Sequence, residues 1–145
     1  MSLSPKPARF SQAEQINIVM SGHINGAGRL FGGILVEWID VVAAVAARRH
    51  SGCDVTTAAI DNLQFKSPAY AGDTVILNAR LTYAGRTSME VRVDTYVESL
   101  QGARRLINTA YLVMVALDAK GNPAPVPPLQ IETEEQKLEY EAAAL

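Results

Sequence analysis

The chain has 145 residues, 48% hydrophobic and 19% charged, with a formal net charge of −2 and a single cysteine. One domain with one sizeable core fits that length, and the slightly acidic balance without a dense Lys/Arg stripe excludes a general nucleic-acid binder. Cys53 has no partner for an internal disulfide, which fits a reducing cytosol.

Residues 1–13 read as a loose, flexible lead-in, and "MSLSPKPARF" contains no apolar h-region of a signal peptide. "QINIVM", residues 15–20, alternates polar and apolar side chains as a short strand does. From Ser21 to Gly33 glycine stands at 22, 26, 28, 32 and 33. That density predicts a loop whose backbone turns with positive φ or passes close to something. Ile34 to His50 then reads as a helix, apolar nearly all round and therefore buried. "RRHSG" closes it with basic groups at the negative end of the dipole and a glycine C-cap. The apolar run Ile34–Ala47 is too short to span a bilayer and is interrupted by Glu37 and Asp40, so no membrane and a cytoplasmic location are expected.

Four β-rich segments follow, at 56–65, 73–84, 87–99 and 104–118, with alternation visible in Val75, Leu77, Ala79 and Leu81 and in Met89, Val91 and Val93. Short turns separate the last three, which predicts an antiparallel meander and an α+β layout. Beyond Asp118 the proline-rich run from Pro123 forbids regular helix or central strand. The charged end, "IETEEQKLEYEAAAL", predicts a short helix packed on a surface or partly free. The chain thus reads as a single domain over 1–145 with a tail at 119–145.

The glycine loop is not a dinucleotide fingerprint or a phosphate loop, because its spacings differ and no Gly-Lys-Ser/Thr follows. By itself it is consistent with a tight lead into the helix. Asp40 asks for more: an ionised carboxylate on an apolar helix must be paired, hydrogen-bonded or open to a cleft. Glu37, three positions earlier, shares its side of the helix. His23 has no second histidine at ligand spacing, so no metal is expected.

"HINGAGRLFGGILVEWIDVVAAVAA", "TTAAIDNLQFKSPAYAGD" and "YAGRTSMEVRVDTYVE" together resemble the hotdog-fold acyl-coenzyme A thioesterases, in the bacterial and cytosolic acyl-CoA hydrolase branch. The resemblance spans roughly residues 10–120. It implies a hotdog, a long central helix wrapped by a curved antiparallel sheet. It also implies two protomers forming a continuous sheet, and three such pairs forming a hexamer. The family pairs an asparagine of the glycine loop with an aspartate of the helix across a subunit boundary, which implies Asn25 and Asp40. The helix N-terminal amides at Gly32 and Gly33 then face the substrate carbonyl. The chain departs from the family at His23 and Arg29, where relatives carry an acidic and another polar residue, and at Ala27, where a second asparagine is common.

These groups suit thioester hydrolysis. Asp40 serves as general base or nucleophile, the Gly33 amide and its neighbours as an oxyanion site, and Asn25 holds water or thioester. Glu37, Thr57 and Asn62 are candidate cleft residues. Among the cations Lys66, Arg80, Arg86 and Arg104, the resemblance favours the turn Arg86, Thr87 and Ser88 for coenzyme A phosphates. Coenzyme A enters as part of the substrate and leaves as product, and no separate cofactor is expected. The alternative is a non-catalytic acyl-CoA or acyl-carrier binding module; a hydratase or dehydratase asks for a better-placed histidine than His23.

Overall fold

The computed structural model describes residues 3–61 and 63–144; Asn62 lies outside them. In chain order the elements are β1 (Lys6–Pro7), α1 (Ala8–Ser11), β2 (Ala13–Ile18), a 3-10 turn (Ser21–His23), α2 (Gly32–Ser51), β3 (Asp54–Asp61), β4 (Thr74–Ala84), β5 (Ser88–Glu98), β6 (Arg104–Leu117), β7 (Leu129–Gln130) and α3 (Glu134–Ala144). Five strands form one antiparallel sheet in the order β2-β4-β5-β6-β3. The meander expected from the sequence is its centre, and the two strands flanking α2 in the chain are its edges.

The alternating apolar residues of the meander point at α2. Val75, Leu77, Ala79, Leu81, Met89, Val91 and Val93 join Leu35, Trp38, Ile39, Val42, Ala43, Ala46 and Ala47 in one core. Thin alanines let the helix approach the curled sheet closely, as close-packed interiors require. The C-cap forms as expected: Gly52 adopts φ 70°, a left-handed conformation that suits glycine, and its N–H donates to Arg48 O at 2.8 Å. The helix is not buried all round, however. Glu37 is exposed and Val41 keeps 51% of its surface, so one stripe of α2 has no cover within the protomer.

Both chain ends are tied to the rest of the fold. Within the lead-in, β1 pairs in parallel with β7, Lys6 N–H donates to Pro128 O at 3.0 Å and Ser11 is fully buried. Isolated short runs carry no periodicity, so a pairing between positions more than a hundred residues apart leaves no local signal. At the other end α3 is fastened to the outer face of the sheet. Arg80 grips Glu139 with both terminal nitrogens, at 2.6 and 2.8 Å, and Arg92 adds a third bond at 3.1 Å. Partial burial pushes the Glu139 carboxyl up, but the bonds and charge of Arg80 and then Arg92 outweigh it and hold the group below its ordinary range. Arg80 is therefore spent on α3 and leaves the list of coenzyme-binding cations.

His50, at the end of α2, is fully buried; its Nε2 lies 2.7 Å from Pro127 O, and its Nδ1 has no hydrogen-bond partner among the described residues. Burial pushes its pKa down, partly opposed by the Pro127 bond and assisted by Lys6. The neutral ring is therefore preferred in the fold, while the unfolded chain takes up a proton below about pH 6.5. Stability should be fully present above that pH and fall as pH drops toward the lowered folded value. Urea unfolding across about pH 5–8 will show this slope, and His50→Gln, which keeps a donor to Pro127 O without the titration, should flatten it.

Candidate active site

Two separate constellations emerge. The first sits where α2 faces β3. Asp40, half-buried, accepts a hydrogen bond from Thr57 Oγ1 at 2.5 Å on its Oδ1. The same hydroxyl lies 3.4 Å from Met114 Sδ, since Thr57 is paired across strands with Met114. Asp40 Oδ2 has no hydrogen-bond partner among the described residues. The desolvation problem raised by an acid on an apolar helix is thus met by one hydroxyl and an open side, not by a counter-ion. Met114 had no signal of its own in the sequence: it is one of the alternating apolar positions of β6, and only the strand register brings it to Thr57.

That register carries further. Ala84, Met89, Met114 and Thr57 lie in one row across β4, β5, β6 and β3, which brings the Gly85–Ser88 turn to the same end of the sheet as Thr57. The turn is braced by its backbone: Gly85 N–H donates to Ser88 O at 2.8 Å, Ala116 N–H to Thr87 O at 3.0 Å and Val126 N–H to Arg86 O at 2.9 Å. The Arg86 side chain is exposed and makes no ion pair among the described residues, whereas Arg104 is paired with Glu98 at 3.2 Å.

The second constellation is a cleft of about 270 Å³ at the N-terminus of α2, lined by Asn25, Arg29, Gly32, Phe65 and Lys66 among others. Asn25 is held in an Asx turn. Its side-chain Oδ1 accepts the N–H of Ala27 at 2.9 Å and of Arg29 at 3.2 Å, and its own N–H donates to Arg29 O at 2.8 Å. Two backbone donors on one atom fix which end of the amide is oxygen, so the Nδ2 hydrogens are the end left for another partner. Gly28, at φ 76°, makes the turn possible. Gly32 and Gly33 belong to the first turn of α2 rather than to the loop. The N–H groups of Ile34 and Leu35 turn back to Phe31 O at 3.0 and 3.2 Å, and the two preceding amides have no hydrogen-bond partner among the described residues, as helix N-terminal donors do. A Cβ on Gly33 would stand 2.8 Å from the Phe31 ring, so glycine is what lets that ring fold beside the helix start.

The sequence-predicted residues therefore divide. Asn25, Gly32 and Lys66 share the cleft with Gly33 beside it; Asp40, Thr57 and the Arg86–Thr87–Ser88 turn share the other end. Asp40 lies about 10 Å further along the helix than Gly33 at about 1.5 Å per residue. Lys66, whose N–H donates to Ile107 O at 2.9 Å, and Ser88, paired with Val115, mark opposite ends of β6. That is about 26 Å of strand at about 3.3 Å per residue, so Lys66 and Arg86 of one protomer do not clasp one phosphate. Glu37 is exposed one turn before Asp40 and touches neither group. Phe65, with 45% of its surface exposed beside Gly32, is a cleft residue that sequence reading left inside a motif; its signal was an aromatic placed just beyond a strand. No group of three or more His, Cys, Asp or Glu side chains converges among the described residues, and no described helix is long and apolar enough to cross a membrane.

Residues 27–102 match the family model of the Thioesterase superfamily, a span that contains Asp40, Thr57 and the turn at Arg86. The chain belongs to the thioesterase superfamily. Its fold is the hotdog of that family, a curled antiparallel sheet around one long helix. This thioesterase-family chain is 40% identical over 120 residues to an uncharacterised acyl-CoA thioester hydrolase of Bacillus subtilis, covering 82% of this chain and 70% of that one. Mammalian relatives are longer: the chain spans 38% of the rat cytosolic acyl coenzyme A thioester hydrolase, to which it is 31% identical. Among solved structures it is similar to an apo-hexameric acyl-CoA thioesterase, with TM-score 0.90, 38% identity, and coverage of 98% of this chain and 92% of that one. It is also similar to an acyl-CoA hydrolase from Staphylococcus aureus in complex with butyryl coenzyme A, coenzyme A and coenzyme A disulfide. There the TM-score is 0.87 and the identity 33%, covering 96% and 85% of the two chains. Three solved variants of that Staphylococcus enzyme replace an asparagine, an aspartate and a threonine by alanine. The intervals between those positions along its chain equal those separating Asn25, Asp40 and Thr57.

Proposed function

We propose that the chain hydrolyses acyl-CoA thioesters to a free acid and coenzyme A, with Asp40 accepting the proton of the attacking water. The observation that carries this is the half-buried Asp40 carboxylate in a thioesterase-family chain, its Oδ1 fixed by Thr57 at 2.5 Å and its Oδ2 open. Water adds to the thioester carbonyl carbon as its proton passes to Asp40. When the tetrahedral intermediate collapses, the C–S bond breaks and the proton on Asp40 goes to the departing coenzyme A sulfur. Negative charge on the carbonyl oxygen is met by the free amides of Gly32 and Gly33, by the positive end of α2, and by the Asn25 Nδ2 hydrogens. Because Asn25 Oδ1 is occupied by two backbone donors, its role is to donate to the thioester rather than to accept from water.

Asn25 lines a cleft at the N-terminus of α2, whereas Asp40 sits about two turns into that helix beside β3, which supports a site completed by a second copy. Asn25 of one protomer meets Asp40 of its partner. The uncovered stripe of α2 at Glu37 and Val41, with the exposed rings of Phe31 and Phe65, is the surface such a copy covers. The assembly is a homodimer that pairs further into a trimer of dimers, in keeping with the hexameric relative. The chain works in the cytoplasm, and its chemistry needs no metal or separate cofactor.

Coenzyme A phosphates rest on the Arg86–Thr87–Ser88 turn, and Lys66 approaches them only from the partner copy. Arg86→Ala should weaken binding of free coenzyme A, with the largest difference from the native protein at low ionic strength, where attraction is least screened. Titration calorimetry over a salt series measures this, and equal affinities at every salt would move the phosphate site elsewhere. The activity itself is tested by thiol release from short, medium, long and aromatic acyl-CoAs. Binding of acyl-CoA with no turnover of any member would leave a non-catalytic module instead.

A further inference from the structure

Resting on the assignment of Asn25 above, we infer that His23 is a positioning residue for catalysis: it fixes the loop that presents the Asn25 amide. The 3-10 turn before that loop is closed by a reciprocal pair of bonds. His23 N–H donates to Met20 O at 2.9 Å, and Met20 N–H donates to His23 Nδ1 at 2.9 Å. The imidazole thereby replaces a backbone acceptor, and an accepting Nδ1 sets the tautomer with hydrogen on Nε2. The ring then stands edge-on to Trp38 of α2, centroids 5.1 Å apart at 83°, an attractive aromatic geometry. Trp38 is only 8% exposed and precedes Asp40 by half a turn of helix, so the ring is anchored to the buried central helix. From His23 the restraint passes directly on: its carbonyl accepts Phe31 N–H at 2.8 Å, and Ile24 bridges Leu30. The two ends of the loop are thus tied together around Asn25. Cutting the bond from Met20 N–H to His23 Nδ1 removes the one side-chain tie that holds the leading end of the loop against Trp38, while the backbone bonds within the loop remain.

Side-chain geometry separates this role from simple packing. Asparagine at position 23 carries an oxygen where Nδ1 stands, glutamine reaches past that point, and phenylalanine keeps the ring edge on Trp38 with no acceptor at all. His23→Asn should retain kcat within about twofold, while His23→Gln and His23→Phe lower it about tenfold or more with KM little changed, because a small misplacement of one group is felt mainly in the chemical step. In an Asn25→Ala background the same His23→Gln change should add little, since the group it positions is gone. The measurements are kcat and KM for acyl-CoA hydrolysis, with assembly size and thermal unfolding confirming that each variant is folded. Native kcat in both His23→Gln and His23→Phe, equal losses in His23→Asn and His23→Gln, or an undiminished loss in the Asn25→Ala background each overturn the role of His23. Native kcat in Asn25→Ala itself overturns the assignment of Asn25 on which this rests, and is distinguished by that single variant.

Discussion

Asp40→Asn will lower the rate of thioester hydrolysis by about 10²–10⁴-fold while coenzyme A binding and assembly size stay close to native. The substitution keeps the shape of the side chain, and Thr57 Oγ1 still finds an oxygen in place of the Oδ1 it now meets at 2.5 Å. What is lost is the capacity to take a proton from water and return it to sulfur. The half-buried setting on α2 leaves no neighbouring carboxylate to substitute, because Glu37 is exposed one turn away. Steady-state thiol release, sedimentation and coenzyme A titration on the same preparation separate the chemical loss from any loss of binding. A near-native rate would reject Asp40 as the proton acceptor.

Asn25→Ala removes the proposed donor to the thioester and, with it, the side-chain oxygen that holds the amides of Ala27 and Arg29. Loss of one preorganised oxyanion donor costs about 10²–10³-fold in kcat, and the free amides at Gly32 and Gly33 remain to supply part of the stabilisation. Mixing Asn25→Ala with Asp40→Asn protein through dissociation and reassembly tests where the two groups meet. If they face each other across a boundary, a hybrid dimer has one doubly defective site and one intact site, so activity returns to about half the native value per intact hybrid dimer. Verified hybrids that stay as slow as the parents would place both residues in one protomer's site.

Much of this was legible in one dimension because its causes are local. Amphipathic alternation marked β4 and β5 from Val75 to Val93, and the helix and its left-handed glycine cap at Gly52 followed from alanine content and the "RRHSG" ending. Charge desolvation singled out Asp40 as an acid on an apolar helix before any fold was known, whereas Asn25, Gly32 and Gly33 were implied by the resemblance of the glycine loop to the thioesterase family. Less was readable at the chain ends. Lys6–Pro7 pairs with Leu129–Gln130, and Glu139 ties α3 to Arg80 and Arg92, through contacts whose partners are separated by most of the chain.

The sequence by itself determined the long helix, the strands of the meander, their order and the family. Only the tertiary structure decided which partners the candidate side chains have. Four arginine and lysine candidates look alike as letters, yet Arg80 is consumed by Glu139, Arg104 by Glu98, and Lys66 stands at the far end of the strands from Arg86. Asn25 could serve as donor or acceptor until two backbone amides claimed its oxygen. The physical reason is the same in each case. A propensity or a periodicity is set by neighbours along the chain, whereas a hydrogen bond or an ion pair satisfies one partner at the expense of another, and which partner arrives first in space depends on strand register and packing.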